Sequence, residues 1–285
     1  MAARAPVPMI KIRNVSKAFG NKVVYRDLNL DVEKGETHVI IGRSGEGKSV
    51  LLKLLSGLMA PDTGTIEIDG RKIDCRDKES LQYARERVTM VFQMGALFDS
   101  LTVRQNVGFF PTHNTDMTPE EIDALCEELL AEVNLPNTGH LLPAELSGGM
   151  RKRVGLARAL AVRAKIILYD EPTTGLDPVT TEVIGDLMQH ANEKHNMTAV
   201  VVTHDMRSAY KVGNRISMVH QGEIVFTGTP EEVQNTTHPI VFQFVNGYAR
   251  GPITDTEQEG VQQLSAELVD RSLLLRRIKN VDETP

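Results

Sequence analysis

An α/β fold built on a mostly parallel sheet is what the sequence predicts, and three observations carry that expectation. KIILYD (165–170) and TAVVVTHD (198–205) are near-continuous apolar runs rich in Val and Ile, as strands buried on both faces are. PVTTEVIGDLMQHANEKH (178–195) lies between them as the crossover helix that parallel neighbours need. THVIIG (37–42) is a third strand, and it passes through a glycine-rich turn into a helix opening at Lys48.

The remaining elements follow in chain order. MIKIRNVSKAF (9–19), VVYRDLNLDV (23–32) and TGTIEIDG (63–70) read as strands of an antiparallel β subdomain. KSVLLKLLSGL (48–58) is a helix whose apolar residues crowd a buried face, with Gly57 marking its end. VTMVFQ (88–93) is a further buried strand. TPEEIDALCEELLAEVNL (118–135) is an amphipathic helix with Thr118 as cap and Pro119 at its first position. A helical insertion is therefore expected over about 95–163. RISMVHQGEIVFTGTP (215–230) reads as a hairpin, and the tail from about His238 as a polar segment and a last helix. Val261, Leu264, Leu268, Leu275 and Ile278 give that helix a heptad-like stripe, interrupted by Arg271. No internal repeat or low-complexity tract is found.

With 285 residues, 41% hydrophobic and 25% charged, the chain can bury an ample core. A net charge of −6 offers nothing overall to a nucleic-acid backbone or an anionic lipid surface. Cys75 and Cys126 lack ligand-type spacing, so a disulfide framework and a zinc site are not expected, and a reducing cytoplasm fits. The opening MAARAPVPMIKIRNV has no signal-type apolar core, and no stretch reaches the roughly 18 apolar residues that a spanning helix needs. If the protein works at a membrane, it sits beside one.

The chemistry concentrates in a few short strings. GRSGEGKS (Gly42, Arg43, Ser44, Gly45, Glu46, Gly47, Lys48, Ser49) matches the phosphate-binding pattern GxxxxGK[ST], between a strand and a helix that continues with Val50. Its glycines let backbone N–H groups curl around a β-phosphate, Lys48 supplies charge to the β/γ oxygens, and the Ser49 hydroxyl can sit on Mg²⁺. IILYDEP (166–172) is a hydrophobic strand ending in two adjacent carboxylates. Asp170 can hold the Mg²⁺ shell, and Glu171, one residue further into the cleft, can polarise an attacking water. ATP and Mg²⁺ are the cofactors expected.

LSGGM (146–150), followed by RKRVGLARAL, resembles the signature motif of ABC ATPases and opens a helix. The resemblance covers nearly the whole chain to about residue 235 and implies a P-loop NTPase with a RecA-like core, occupying 1–237, followed by a C-terminal extension over 238–285. It implies that Ser147, Gly148, Gly149 and Met150 of one subunit complete the ATP site of the other in a head-to-tail homodimer. It implies further that Gln93 is the Q-loop glutamine at Mg²⁺ or water, Asp177 in TGLD the D-loop residue facing the other subunit, and His204 in VVTHD the switch histidine at the γ-phosphate. Phe19 in KAFG resembles the aromatic that stacks on adenine, or equally ends its strand as a core residue. Asp177 also suits the cap of the next helix.

Met150 stands where many members carry Gln, a side chain whose hydrogen bonds Met cannot reproduce. LSGGM with FQMGALFDSLTVRQNV (92–107) and FQFVNGYARGPI (242–253) resembles the MlaF group, whose members serve lipid transporters. This implies an MlaE-like permease and an MCE-domain protein as partners, with a small STAS-type accessory subunit a further candidate, and a place on the cytoplasmic face of the inner membrane. Met94, Ala96, Leu97, Phe98, Leu101 and Val103 suit either a groove for a short permease helix or the core of the helical lobe. The last helix suits either a clasp on the neighbouring ATPase or packing on its own domain. An ATPase serving a small polar solute shares every nucleotide motif. A soluble ABC ATPase acting on DNA ends or ribosomes is disfavoured by the acidic chain without a basic stripe and by the single copy of each motif.

Overall fold

A computed structural model of the protein describes residues 8–254, and the last-helix stripe from Val261 to Ile278 lies outside them. The described residues fall into two compact units, one ending at Val225 and the other beginning at Phe226.

The first unit opens with β1 (Ile10–Phe19) and β2 (Lys22–Val32), joined by a two-residue turn and paired antiparallel, Ile10 opposite Val32. After β3 (Thr37–Ile41) and α1 (Lys48–Leu55) the chain returns as β4 (Thr63–Ile68) and β5 (Arg71–Lys72). These complete a four-stranded antiparallel sheet in the order β2-β1-β4-β5. α2 (Lys78–Arg87), capped by the Asp77 carboxylate on the Ser80 N–H, leads into β6 (Val88–Val91). The helical insertion holds α3 (Val103–Asn114), α4 (Pro119–Glu132) and α5 (Gly148–Leu160). α3 and α4 each begin with a capping box, Thr102 with Gln105 and Thr118 with Glu121, so two N-terminal donors are satisfied at each start.

β7 (Ile166–Asp170), α6 (Pro178–Lys194) and β8 (Thr198–Thr203) form the crossover unit the apolar runs predict, and β7 pairs parallel with β8. α7 (Met206–Val212) precedes β9 (Arg215–His220), and the turn at Gln221 and Gly222, both at positive φ, leads into β10 (Glu223–Gly228). The second sheet has the order β10-β9-β3-β8-β7-β6, so β3 lies between β8 and β9 and parallel to both. One hydrophobic cluster joins the sheets: Ile10, Ile12 and Leu28 meet Leu51 and Leu55 of α1 and Leu168 and Val200 of the parallel strands. That cluster fixes α1, and therefore the turn before it, against the carboxyl ends of the parallel strands. In the second unit, α8 (Pro230–Gln234) and α9 (Pro239–Asn246) follow, and the Gln243 amide ties α9 to the backbone of Tyr248 and Ile253.

The insertion is tied to the core helix α6 by charge. Glu132 accepts from Lys194 at 2.7 Å and lies 2.9 Å from the His195 ring nitrogen. Burial pushes the Glu132 carboxyl up, but these two hydrogen bonds outweigh it and hold the group below its ordinary range. A carboxylate with a depressed folded value stabilises fully above its unfolded value, near pH 4.3, and that contribution fades as the pH falls through the folded value. Glu132→Gln is therefore expected to cost about 1–2 kcal/mol at pH 7. Urea unfolding at pH 7, 5 and 3 checks this, the gap between variant and parent closing toward the acid end.

Candidate functional site

The turn after β3 owes its shape to its glycines and to braces outside it. Gly47 has φ +93°, and a Cβ there would lie 2.4 Å from Val24 Cγ1; one at Gly42 would lie 2.6 Å from the Val219 carbonyl oxygen. Tyr25 donates its hydroxyl to the Gly47 carbonyl at 2.8 Å, and the Glu46 carboxylate accepts from the Gln221 N–H at 2.7 Å, 3.3 Å from His220 Nδ1. The acid inside the turn is thus directed outward. α1 then opens at Lys48 without a side-chain cap on its first turn, the arrangement that receives anions.

Lys48 Nζ donates to the carbonyls of Gly42 (2.7 Å) and Arg43 (3.1 Å) and lies 3.7 Å from Glu171 Oε1. Burial pulls its pKa down and the charge of Glu171 opposes the shift. The Ser49 hydroxyl donates to Asp170 Oδ1 at 2.9 Å, where β7 ends. Burial pushes the Asp170 carboxyl up despite that hydrogen bond, the charge of Glu171 adding to the rise and Lys53 and Lys48 opposing it. The Ser49 hydroxyl and the Asp170 carboxylate together are hard oxygen donors of the kind that fit a magnesium ion.

Glu171 is held in the left-handed region at φ 49°, its N–H on the Val202 carbonyl at 2.9 Å. A non-glycine residue there stores strain that the packing of β7 against β8 sustains. Its Oε2 accepts from Thr174 Oγ1 at 3.0 Å and lies 2.9 Å from His204 Nδ1, in the loop after β8. Phe19, Ser44, Gly45, Gly47, Lys48, Ser49, Val50, Gln93 and Glu171 line one cleft of about 410 Å³, with Lys22 and Val24. Phe19 is 47% exposed at the end of β1, on this cleft and not in the core. Gln93 follows β6 at the surface.

The signature residues are not among those lining that cleft. Ser147 caps α5, accepting from the Met150 N–H at 3.2 Å, and Gly148 is exposed beside it. A Cβ at Gly149 would lie 2.8 Å from Thr180 Cγ2 on α6, so the close approach of the two helices requires a glycine. Asp177 caps α6, accepting from the N–H groups of Val179 (3.0 Å) and Thr180 (2.9 Å). Thr174, Tyr25 and the Glu46–Gln221 brace are site features that the sequence reading did not single out. Only the hydroxyl three residues after Glu171, in EPTT, offered a local signal.

The apolar segment after Gln93 divides. Val103 and Val107 are buried in the helical insertion, while Met94 and Phe98 are exposed. Asn106, fully buried, pins the loop by accepting from the Phe98 N–H and donating to the carbonyls of Phe98 and Leu101. This holds Phe98 against Phe109, ring centroids 4.6 Å apart, on an open groove of about 460 Å³ that Leu58, Phe92, Ala96 and Arg158 also line.

No helix among the described residues is long and apolar enough to cross a membrane. The chain is similar to the probable ribonucleotide transport ATP-binding protein mkl of Mycobacterium leprae, 39% identical over 90% of this chain and 74% of that one. It is similar to the intermembrane phospholipid transport system ATP-binding protein MlaF of Haemophilus influenzae, 36% identical over 86% of this chain and 93% of that one. A dimeric ATP-binding cassette solved in a post-hydrolysis state with ADP and Pi superimposes with a TM-score of 0.72 at 35% identity, covering 78% of this chain and 99% of that one. With the ABC transporter family profile matching residues 25–174, which hold the phosphate turn and the strand that ends in paired carboxylates, the chain belongs to the ABC transporter family and is one of its ATP-hydrolysing cassettes.

Proposed function

We propose that this cassette drives movement of phospholipid through a separate permease. The observation that carries the reading is the similarity to MlaF along 93% of that protein, including the stretch holding the exposed groove after Gln93. A homodimer of the chain, an MlaE-like permease, an MCE-domain protein and a small STAS-type subunit make up the expected complex, seated on the cytoplasmic face of the inner membrane. Nucleic acid is not an expected partner. The ATPase domain is assigned to 1–237, and the extension 238–285 to fastening the dimer. The groove between Leu58, Phe98 and Phe109 is assigned to a short permease helix.

The mechanism follows from the residues. The phosphate turn and the start of α1 receive the β- and γ-phosphates with donors already in place, so little reorganisation is needed at the moment of reaction. Ser49, Asp170 and Gln93 would hold Mg²⁺, which neutralises charge on the phosphate oxygens when bound. Glu171 orients a water and takes its proton as the water oxygen bonds to the γ-phosphorus in line and the bond to the β–γ bridging oxygen breaks, releasing ADP and phosphate. His204, hydrogen-bonded to Glu171, and Lys48 stand where that charge changes. Phe19 stacks on adenine. Ser147, Gly148, Gly149 and Met150 of the second subunit, together with its Asp177, close over the nucleotide. Only the closed pair contacts both faces of ATP, so binding shifts an open–closed equilibrium that hydrolysis resets.

The similarity to mkl favours a second reading, transport of a small polar solute such as a nucleotide. Gentle detergent purification of the complex from its own cells, with mass spectrometry of proteins and lipids, separates the two. The lipid reading predicts a multi-span permease with an MCE-domain protein and enriched phospholipid. A different permease without lipid enrichment would replace that reading with the solute one.

A further inference from the structure

Lys152, on the second turn of α5, is a buried cation that the site described above does not use. Its Nζ donates to the carbonyl of Pro172 at 2.9 Å and to that of Thr174 at 2.6 Å. Those carbonyls belong to the short loop after Glu171, and the Thr174 hydroxyl in the same loop donates to Glu171 Oε2. Five residues before Lys152 on the chain, Ser147 caps the same helix. A chain of hydrogen bonds therefore runs from the helix that begins at the signature, through one ammonium and two carbonyls, to the carboxylate at the cleft. Burial pulls the pKa of Lys152 down while the charge of Glu171 pushes it back up, so the two groups also sense each other electrostatically.

We propose that Lys152 is a positioning residue for Glu171: by holding the carbonyls of Pro172 and Thr174 it fixes Thr174 on the carboxylate, and it links the setting of that carboxylate to the seating of the signature helix. The inference rests on reading Glu171 as the base. Two features separate it from a mere staple. A methionine would fill the same space without donating to either carbonyl, and a glutamine would restore N–H donors on a shorter side chain. Misplacement of a reacting group by about 1 Å costs up to roughly a hundredfold in rate, whereas a distant packing defect acts on stability.

The experiment is a double-mutant cycle on the full chain, with ATP affinity, thermal midpoint and single-turnover rate measured for Lys152→Met, Lys152→Gln, Glu171→Gln and Lys152→Met with Glu171→Gln. The expected result is a tenfold to hundredfold lower rate in Lys152→Met at nearly parental ATP affinity and midpoint, on the order of a misplaced catalytic group. Lys152→Gln should recover part of the rate, and Lys152→Met should change the residual rate of Glu171→Gln by no more than about twofold, as residues acting through one another do. A full multiplicative loss in the Glu171→Gln background would overturn the proposal, as would an unchanged rate in Lys152→Met. If Lys152→Met fails to fold, the same cycle run with Lys152→Gln decides: a rate loss that vanishes in the Glu171→Gln background supports the proposal, and one that persists there overturns it. Near-normal turnover in Glu171→Gln alone would remove the reading on which the proposal stands, by a result in which Lys152 takes no part.

Discussion

Glu171→Gln should bind ATP as the parent does and hydrolyse it about 10²- to 10⁴-fold more slowly, the range a positioned general base contributes. The amide is nearly isosteric, so the left-handed backbone at 171 and its N–H on Val202 are not asked to change. What is lost is specific to charge and proton affinity. Thr174 Oγ1 and Lys48 Nζ now face the carboxylate at 3.0 and 3.7 Å and would face an amide that can no longer accept a proton. Lys48 keeps its two loop carbonyls and Asp170 keeps Ser49, so the phosphate-binding parts remain assembled. Equilibrium binding of a fluorescent ATP analogue, beside single-turnover hydrolysis, measures both halves. Parental rates in this variant would show that the proton goes elsewhere.

Gly47→Ala should abolish measurable nucleotide binding and lower the thermal midpoint as well. Two effects act together. An L-residue at φ +93° carries about 1–2 kcal/mol of conformational strain. The new methyl would stand 2.4 Å from Val24 Cγ1 and 3.3 Å from the Tyr25 ring, and overpacking of that kind costs roughly 1–3 kcal/mol. The combined loss of about 2–5 kcal/mol corresponds to a fall of roughly 5–15 °C in a chain of this size. The binding loss follows because the strained residue shifts from its present path, which breaks the Tyr25 brace on the Gly47 carbonyl and displaces the N–H groups that receive phosphate. Calorimetric melting without nucleotide reads the first effect, and titration with ATP the second. A variant with an unchanged midpoint and normal affinity would mean that the turn is free to adopt another path.

The parts of the fold that local chemistry specifies were legible in the sequence, and the rest depended on distant partners. β7 and β8 announce themselves because strands covered on both faces need apolar residues at every position. α4 does so through Thr118, Pro119 and Glu121, which act within one turn. α2 did not: KESLQYARER buries only Ser80 and Ala84, which leaves no apolar stripe to detect. α3 carries Gly108 and Pro111 inside its span, residues that ordinarily argue against a helix, and it is held by its capping box and by the burial of Val103, Asn106 and Val107. The placing of β3 between β8 and β9 has no local signature, since it is a pairing over more than a hundred and fifty residues, Ile40 with Val202. The same division runs through the site. Lys48, Ser49, Asp170 and Glu171 belong to strings whose spacing states their chemistry. Tyr25, Thr174 and Lys152 act only through contacts that the fold creates.

The close approach of Gly149 to Thr180 constrains the order in which this sequence can change. Position 149 tolerates no larger side chain while Thr180 keeps its methyl, and shrinking Thr180 first would forfeit the contact that α5 and α6 now share. Enlarging position 149 is therefore admissible only after Thr180 has changed, which couples the two sites through mutation. That pairing joins a residue assigned to the second subunit's nucleotide with one on the helix that Asp177 caps. Met150 meets the Ser147 cap through its backbone N–H, so that cap does not itself constrain which side chain stands there.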